Sequence, residues 1–381
     1  MTQAFHIGNH DADALSAIRF FLTTIMEKAG IDAMLVPTRL AMKNRLAPTL
    51  ISDPVYLAAA DPLSPSFPVN AATQLARLTR QPVGGRLAAV LRPCEIRAFN
   101  ELVKLNQGRR EGLVIIGLDC AGAQSNRDFR AFADQHDSLD AATEAFLALF
   151  ADETADPEAA HLTSACKACV HPVPATADIA VEWFGTAPAM DLTARAGTEN
   201  GQTILSALEL SLAEMAPQAR KTALDGLLKR HRQYRDEKNA VLADTVDSLP
   251  GLSTYLADCV NCYNCRVACP VCYCTTCVFT TDTFRHEPFQ YLQWARRKGS
   301  VKMPTDTLFF HLTRMAHMSC ACVGCGQCTN ACPNEIPLSD LFAYVARHTQ
   351  ATFGYAAGMD IEARPPMSEF EAEEFQDVVG M

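Results

Sequence analysis

The chain runs to 381 residues, 49% hydrophobic and 20% charged, a globular balance that fills a sizeable core and excludes a disordered chain. A formal charge of -10 with no run of five or more basic residues excludes nucleic acid or an anionic membrane surface as the main partner, because both are held through clustered Lys and Arg. Residues 1–11 lack the basic and apolar runs of a secretory signal, and no apolar stretch is long enough to span a bilayer. The chain is therefore expected in the cytoplasm without direct membrane insertion, where sixteen cysteines read as metal ligands rather than disulfides.

In chain order, residues 11–30 place Leu15, Ile18, Phe21, Leu22, Ile25 and Met26 at helical spacing, and a short strand is expected at 33–36. Residues 61–68, rich in Pro and Ser, read as a loop before a helix at 71–79. The clearest unit follows: an apolar strand at 87–91, a helix opened by Pro93 and running to about residue 106, and a second apolar strand at 113–118. Strand-helix-strand order implies parallel strands in one sheet, which sets Cys94 and Cys120 on the same carboxyl-end edge, where open sheets gather ligands. Segments 178–184 and 203–210 are further strand candidates. Residues 218–246 form a long charged helix, and helices are expected at 287–298 and 305–317 between two Cys-rich blocks.

The expected architecture is an α/β domain with a partly parallel sheet (1–217), a connecting helix (218–250), a mainly α, ferredoxin-like dicluster domain (251–350) and an acidic tail (351–381). The dicluster expectation comes from two copies of one motif. Cys259, Cys262, Cys265 and Cys269 precede Pro270, and Cys322, Cys325, Cys328 and Cys332 precede Pro333, so both blocks read C-x2-C-x2-C-x3-C-P. Two residues between thiolates place three sulfurs on three irons of one cubane, and the fourth cysteine reaches the other cluster. The expected 4Fe-4S ligand sets are thus Cys259, Cys262, Cys265 with Cys332, and Cys322, Cys325, Cys328 with Cys269. Over fifty residues separate the blocks, an insertion that loop entropy tolerates.

A third set joins Cys94 and Cys120 to the pair Cys166 and Cys169, with Cys94 at a helix N-terminus that favours the thiolate form. The competing reading is two buried structural cysteines and an unrelated zinc or surface pair. Subtraction leaves Cys272, Cys274, Cys277 and Cys320, the number one further cubane needs, or else packing and alternative ligands around the neighbouring clusters. Two clusters are therefore the minimum and three or four the expectation. His311 and His317 are read as packing or solvent-facing residues, with a metal role as the alternative, and Arg92, Glu95 and Lys104 as a site for FAD or as ordinary helix surface. No G-x-G-x-x-G, P-loop or H-E-x-x-H occurs.

The run from Leu91 through Arg92, Pro93, Cys94, Glu95 and Ile96 to Arg97 resembles the beta-subunit family of deazaflavin-coenzyme-reducing hydrogenases and formate dehydrogenases, including bacterial relatives associated with heterodisulfide-reductase-like complexes. Glu101 to Leu105, Gly117 to Cys120, the Cys166 pair and the two ferredoxin blocks extend the likeness over most of the chain after residue 50. The resemblance implies electron transfer between a catalytic subunit and a flavin or ferredoxin-like acceptor, with FAD and deazaflavin reduction in archetypal members. Here the ferredoxin blocks lie C-terminally and extra cysteines are present. The resulting expectation is an electron relay working with a catalytic oxidoreductase subunit and other electron-transfer subunits. Its alternatives are a flavin-containing catalytic subunit and a non-enzymatic redox sensor or scaffold.

Overall fold

The computed structural model describes residues 4–7, 13–42, 44–150, 160–186, 192–213 and 217–368; residues 369–381 of the expected tail lie outside them. Strand β1 (Ala4–His6) leads to helix α1 (Ala14–Lys28), started by Asp13, whose carboxylate accepts from Ser16 N at 2.7 Å. All six of the helically spaced apolar residues named above are buried. Next come β2 (Ala33–Arg39), β3 (Leu46–Ile51), α2 (Ala72–Leu78), β4 (Leu87–Leu91), α3 (Pro93–Lys104) and β5 (Leu113–Leu118). Helices α4 (Asn126–Ala133), α5 (Leu139–Ala148) and α6 (Ser164–Lys167) precede β6 (Ile179–Glu182), β7 (Thr193–Ala196) and α7 (Glu199–Ala207).

The strands form one mixed sheet in the order β1-β7-β6-β5-β4-β2-β3, with β2, β4, β5 and β6 parallel and antiparallel pairs at both margins. Leu87 pairs with Leu113 and Leu91 with Gly117, so β4 and β5 end together and carry Cys94 and Cys120 to one edge. These strands read as unbroken apolar runs because both faces are covered. Leu87, Ala89, Leu91 and Ile115 pack into one core while Ala88, Val90, Val114 and Ile116 pack into the other, the period of two expected of a pleat.

Residues 203–210 are not a strand. They belong largely to α7, where Thr198 Oγ1 accepts from Gly201 N at 3.2 Å and nucleates a helix that tertiary packing completes through Ile204 and Leu205. The strand that pairs with β6 lies just upstream, as β7.

From residue 217 on, the described residues are helical or loop: α8 (Pro217–Thr245), α9 (Leu249–Tyr255), α10 (Asn264–Ala268), α11 (Pro288–Lys298), α12 (Thr307–Met318), α13 (Gln327–Asn330) and α14 (Leu338–Thr352). This region shares its core with one face of the sheet. Phe310, Leu338 and Phe342 sit in the same apolar cluster as Leu75, Ile96 and Phe99 of α2 and α3. No helix among the described residues is long and apolar enough to cross a membrane.

Candidate metal centres

At the sheet edge, Cys94 occupies the first turn of α3, Cys120 follows β5, and Cys166 and Cys169 lie in and just after α6. The strands fix the first two; the others are held by the 120–123 loop. Thr163 caps α6 by accepting from Cys166 N at 3.3 Å, and Cys166 Sγ in turn accepts from Ala123 N at 3.2 Å. Cys169 Sγ accepts from His171 N at 3.4 Å. Gly122 makes the approach possible: its φ is +117° and a Cβ there would stand 3.1 Å from that of Cys166. Burial pushes the Cys94 and Cys169 thiols up and Cys120 up to about 12, reinforced at Cys94 by the nearby charges of Cys325, Cys120 and Cys166. The thiolate-favouring helix N-terminus expected at Cys94 is thus outweighed by desolvation, and metal loading here must release protons.

The two C-terminal motifs build two further spaces. Cys259, Cys262, Cys265 and Cys332 line one, with Tyr263, Phe310 and Pro333. Cys269, Cys322, Cys325 and Cys328 line the other, with Arg314, Met318 and Phe342. The motif loops share a backbone shape, since φ is positive at Asn261 and Tyr263 in one and at Gly324 and Gly326 in the other, at matching offsets from the first cysteine. Tyr263 is held in this unfavourable conformation by edge-on packing against Phe310 at 4.9 Å. Burial lifts Cys265 and Cys322 to about 11 and raises Cys325 and Cys328 as well.

The donor sets are those that a thiolate-ligated cubane takes: each set of four cysteines lines one space. The second set also abuts the third. Cys325 bears on Cys94, and Gly326, at φ +79°, lets the backbone beside Cys325 lie where a Cβ would come within 2.7 Å of Ala165 in α6.

The insertion between the motifs supplies Arg314 and Met318, which sequence reasoning passed over, and sets His311 beside a thiol. His311 in α12 is fully buried, with Nε2 3.3 Å from Cys259 Sγ; burial and the Arg314 and Lys302 charges push it down to about 4, so the ring is neutral. One turn on, Arg314 Nη1 donates to Cys265 Sγ at 3.0 Å. Met318 Sδ lies 4.0 Å from Cys269 Sγ. The legible signal was the i, i+3, i+7 spacing of His311, Arg314 and Met318, which shares one helix face.

The remaining cysteines have different neighbours. Cys272 lies beside Cys269 and Cys274 and is pushed up to about 11, Cys277 packs at the same apolar cluster, and Cys320 is pushed up by burial, with Ser319 as its hydrogen-bond partner and the Glu101 charge nearby. No contact gathers the four around one space. Arg92, Glu95 and Lys104 are committed to the protein itself. Arg92 Nη2 donates to the carbonyls of Ser64 and Ser66, and Glu95 accepts from Ala71 N and Arg92 N. Lys104 bonds Glu101 and Tyr355 about 18 Å away from Arg92 along α3.

Sheet, edge cysteines and C-terminal thiol sets define an α/β chain built to converge cysteines, and known proteins say which kind. Residues 84–220 match the family described as the C-terminal part of the coenzyme F420 hydrogenase/dehydrogenase beta subunit. A formate dehydrogenase beta subunit described as F420-dependent, from Methanocaldococcus jannaschii, is 26% identical over 75% of this chain and 77% of its own length. A counterpart from Methanococcus maripaludis, F420-dependent formate dehydrogenase 1 subunit beta, is 28% identical over 74% and 75%. Among solved structures, a chain of the F420-reducing NiFe hydrogenase complex from Methanosarcina barkeri matches with a TM-score of 0.46 and 16% identity, covering 63% of this chain and 92% of its own. The match over residues 84–220 is to the beta-subunit family that the residues around Cys94 and Cys120 led one to expect.

Proposed function

We propose that the chain is an electron-transfer subunit of a cytoplasmic multi-subunit oxidoreductase of the formate dehydrogenase or hydrogenase type. It holds three 4Fe-4S clusters and relays single electrons between a catalytic partner and a flavin- or ferredoxin-type acceptor. Residues 251–350 act as the ferredoxin-like dicluster domain, and Cys94, Cys120, Cys166 and Cys169 ligate the third cluster at the sheet edge.

One observation carries this reading: each crossed set of four cysteines lines its own space, and the third set abuts the second through Cys94 and Cys325. Three cubanes in that order make a continuous wire, and thiolate-ligated cubanes change oxidation state at potentials the surrounding protein sets. The beta-subunit relatives support the oxidoreductase part. Anaerobic purification with iron, sulfide and zinc quantification tests it. About twelve irons and as many sulfides per chain are expected; zinc, or about four irons, contradicts it.

A second reading, a flavin-containing catalytic subunit, is favoured by a cavity of about 120 Å³ lined by Arg97, Arg235, Lys238 and Arg347, with Cys169 and Cys322 in its wall. Its clustered cations suit the phosphate of a flavin beside two clusters. Flavin released stoichiometrically from the purified chain supports this reading, and its absence from chain that is full of iron opposes it.

A further inference from the structure

We propose that Arg314 is the shared counter-ion of the two C-terminal cluster sites, holding the reduction potentials of both above what their sulfur ligands alone would set. The inference rests on the cubane reading of those sites.

Arg314 is 5% exposed, and its hydrogen bonds among the described residues all go to Cys265: Nη1 to Sγ at 3.0 Å and Nη2 to the carbonyl at 3.2 Å. The same side chain lines the space enclosed by Cys269, Cys322, Cys325 and Cys328. One guanidinium therefore reaches a ligand sulfur of the first set and the wall of the second. Its carbon lies 4.5 Å from the Phe342 ring centroid and 5.6 Å from that of Phe310, which fixes it in place and keeps water away. No Asp or Glu among the described residues pairs with it, and its Nε finds no acceptor.

A buried cation without a carboxylate is costly unless other negative charge lies close. Thiolate-ligated cubanes supply that charge. Each carries a net negative charge that grows by one on reduction, so a fixed cation beside it favours the reduced form and raises the potential. Because the charge is buried, salt screens it little. A second guanidinium, Arg97, bears on Cys169 and Cys94 of the third set and also on Cys322 of the second, and donates to the Val323 and Ala357 carbonyls; the first set has Arg314 alone of the two. The placement also gives the long insertion between the motifs a role: α12 lays a cation across both sites.

The test is an EPR-monitored redox titration of the full, anaerobically reconstituted chain and its variants. For Arg314→Met, with wild-type iron content, the ratio of reduced to oxidised form of both C-terminal clusters at the wild-type midpoint should fall about tenfold, or about 59 mV for a one-electron couple. The third cluster should not move. Arg314→Lys keeps the charge and should lose only a minor part of that shift. Full iron with either C-terminal midpoint unchanged in the Met variant overturns the proposal. If the Met variant holds no iron, the Lys variant decides: retained midpoints support the proposal, and a tenfold fall overturns it, because the charge is still present. A wild-type chain without iron at these motifs refutes the cubane reading instead.

Discussion

Single residues decide which thiol set a cysteine joins. The fourth cysteine of each motif faces the other motif's triplet, so Cys332→Ser should remove the first cluster and Cys269→Ser the second, each lowering iron by about four per chain. Cys320→Ser should leave iron unchanged, since Cys320 lines neither four-cysteine space and has Ser319 and the Glu101 charge as its neighbours. Iron assays on the three variants check the amounts and EPR identifies which cluster is lost; loss of the first cluster in Cys269→Ser would mean uncrossed ligation.

Away from the cysteines, Asp61 is 1% exposed, accepts from Thr143 Oγ1 at 2.9 Å, and is pushed up to about 6 by burial. A carboxyl raised on folding contributes stability below its unfolded value near 4 and loses it as pH rises through about 6. Asp61→Asn should therefore raise stability above pH 6 by an amount on the order of 2–3 kcal/mol, with no gain below pH 4. Chemical denaturation at pH 4 and pH 8 measures the difference.

At the scale of elements, the unit β4-α3-β5 was legible because three signals agreed: apolar runs, Pro93 at a helix start and a shared carboxyl edge. Residues 203–210 were misread because a short apolar run carries both periods, and the cap that settles it, Thr198, lies outside the run. The role of α12 was obscured for another reason. His311 and Arg314 look like ordinary residues of an amphipathic helix until the fold lays that helix across both motifs.

Close backbone approach was likewise invisible from sequence, although it joins two elements. Gly326 sits where α6 meets the second motif, so Gly326→Ala forces a Cβ to 2.7 Å from Ala165 at a φ of +79°. The substitution should cost about 1–3 kcal/mol and loosen the junction between the second and third sets. A thermal shift of the iron-loaded chain reads this out, and an unchanged melting temperature contradicts it.

Across the whole molecule, the sheet and the C-terminal helices share one apolar core, which holds the two C-terminal thiol sets, while Cys166 of the third packs on the core of the other sheet face. The cysteine motifs announced which residues would gather, while their order, first set to second to third, emerged only from the packing of α6 against the 324–326 turn. That order is the central claim, because a relay needs neighbouring clusters to sense one another. Low-temperature EPR of the fully reduced wild-type chain tests it most directly. Three cubane signals broadened by mutual spin coupling are predicted; sharp, independent signals, or none from the C-terminal motifs, would contradict the account.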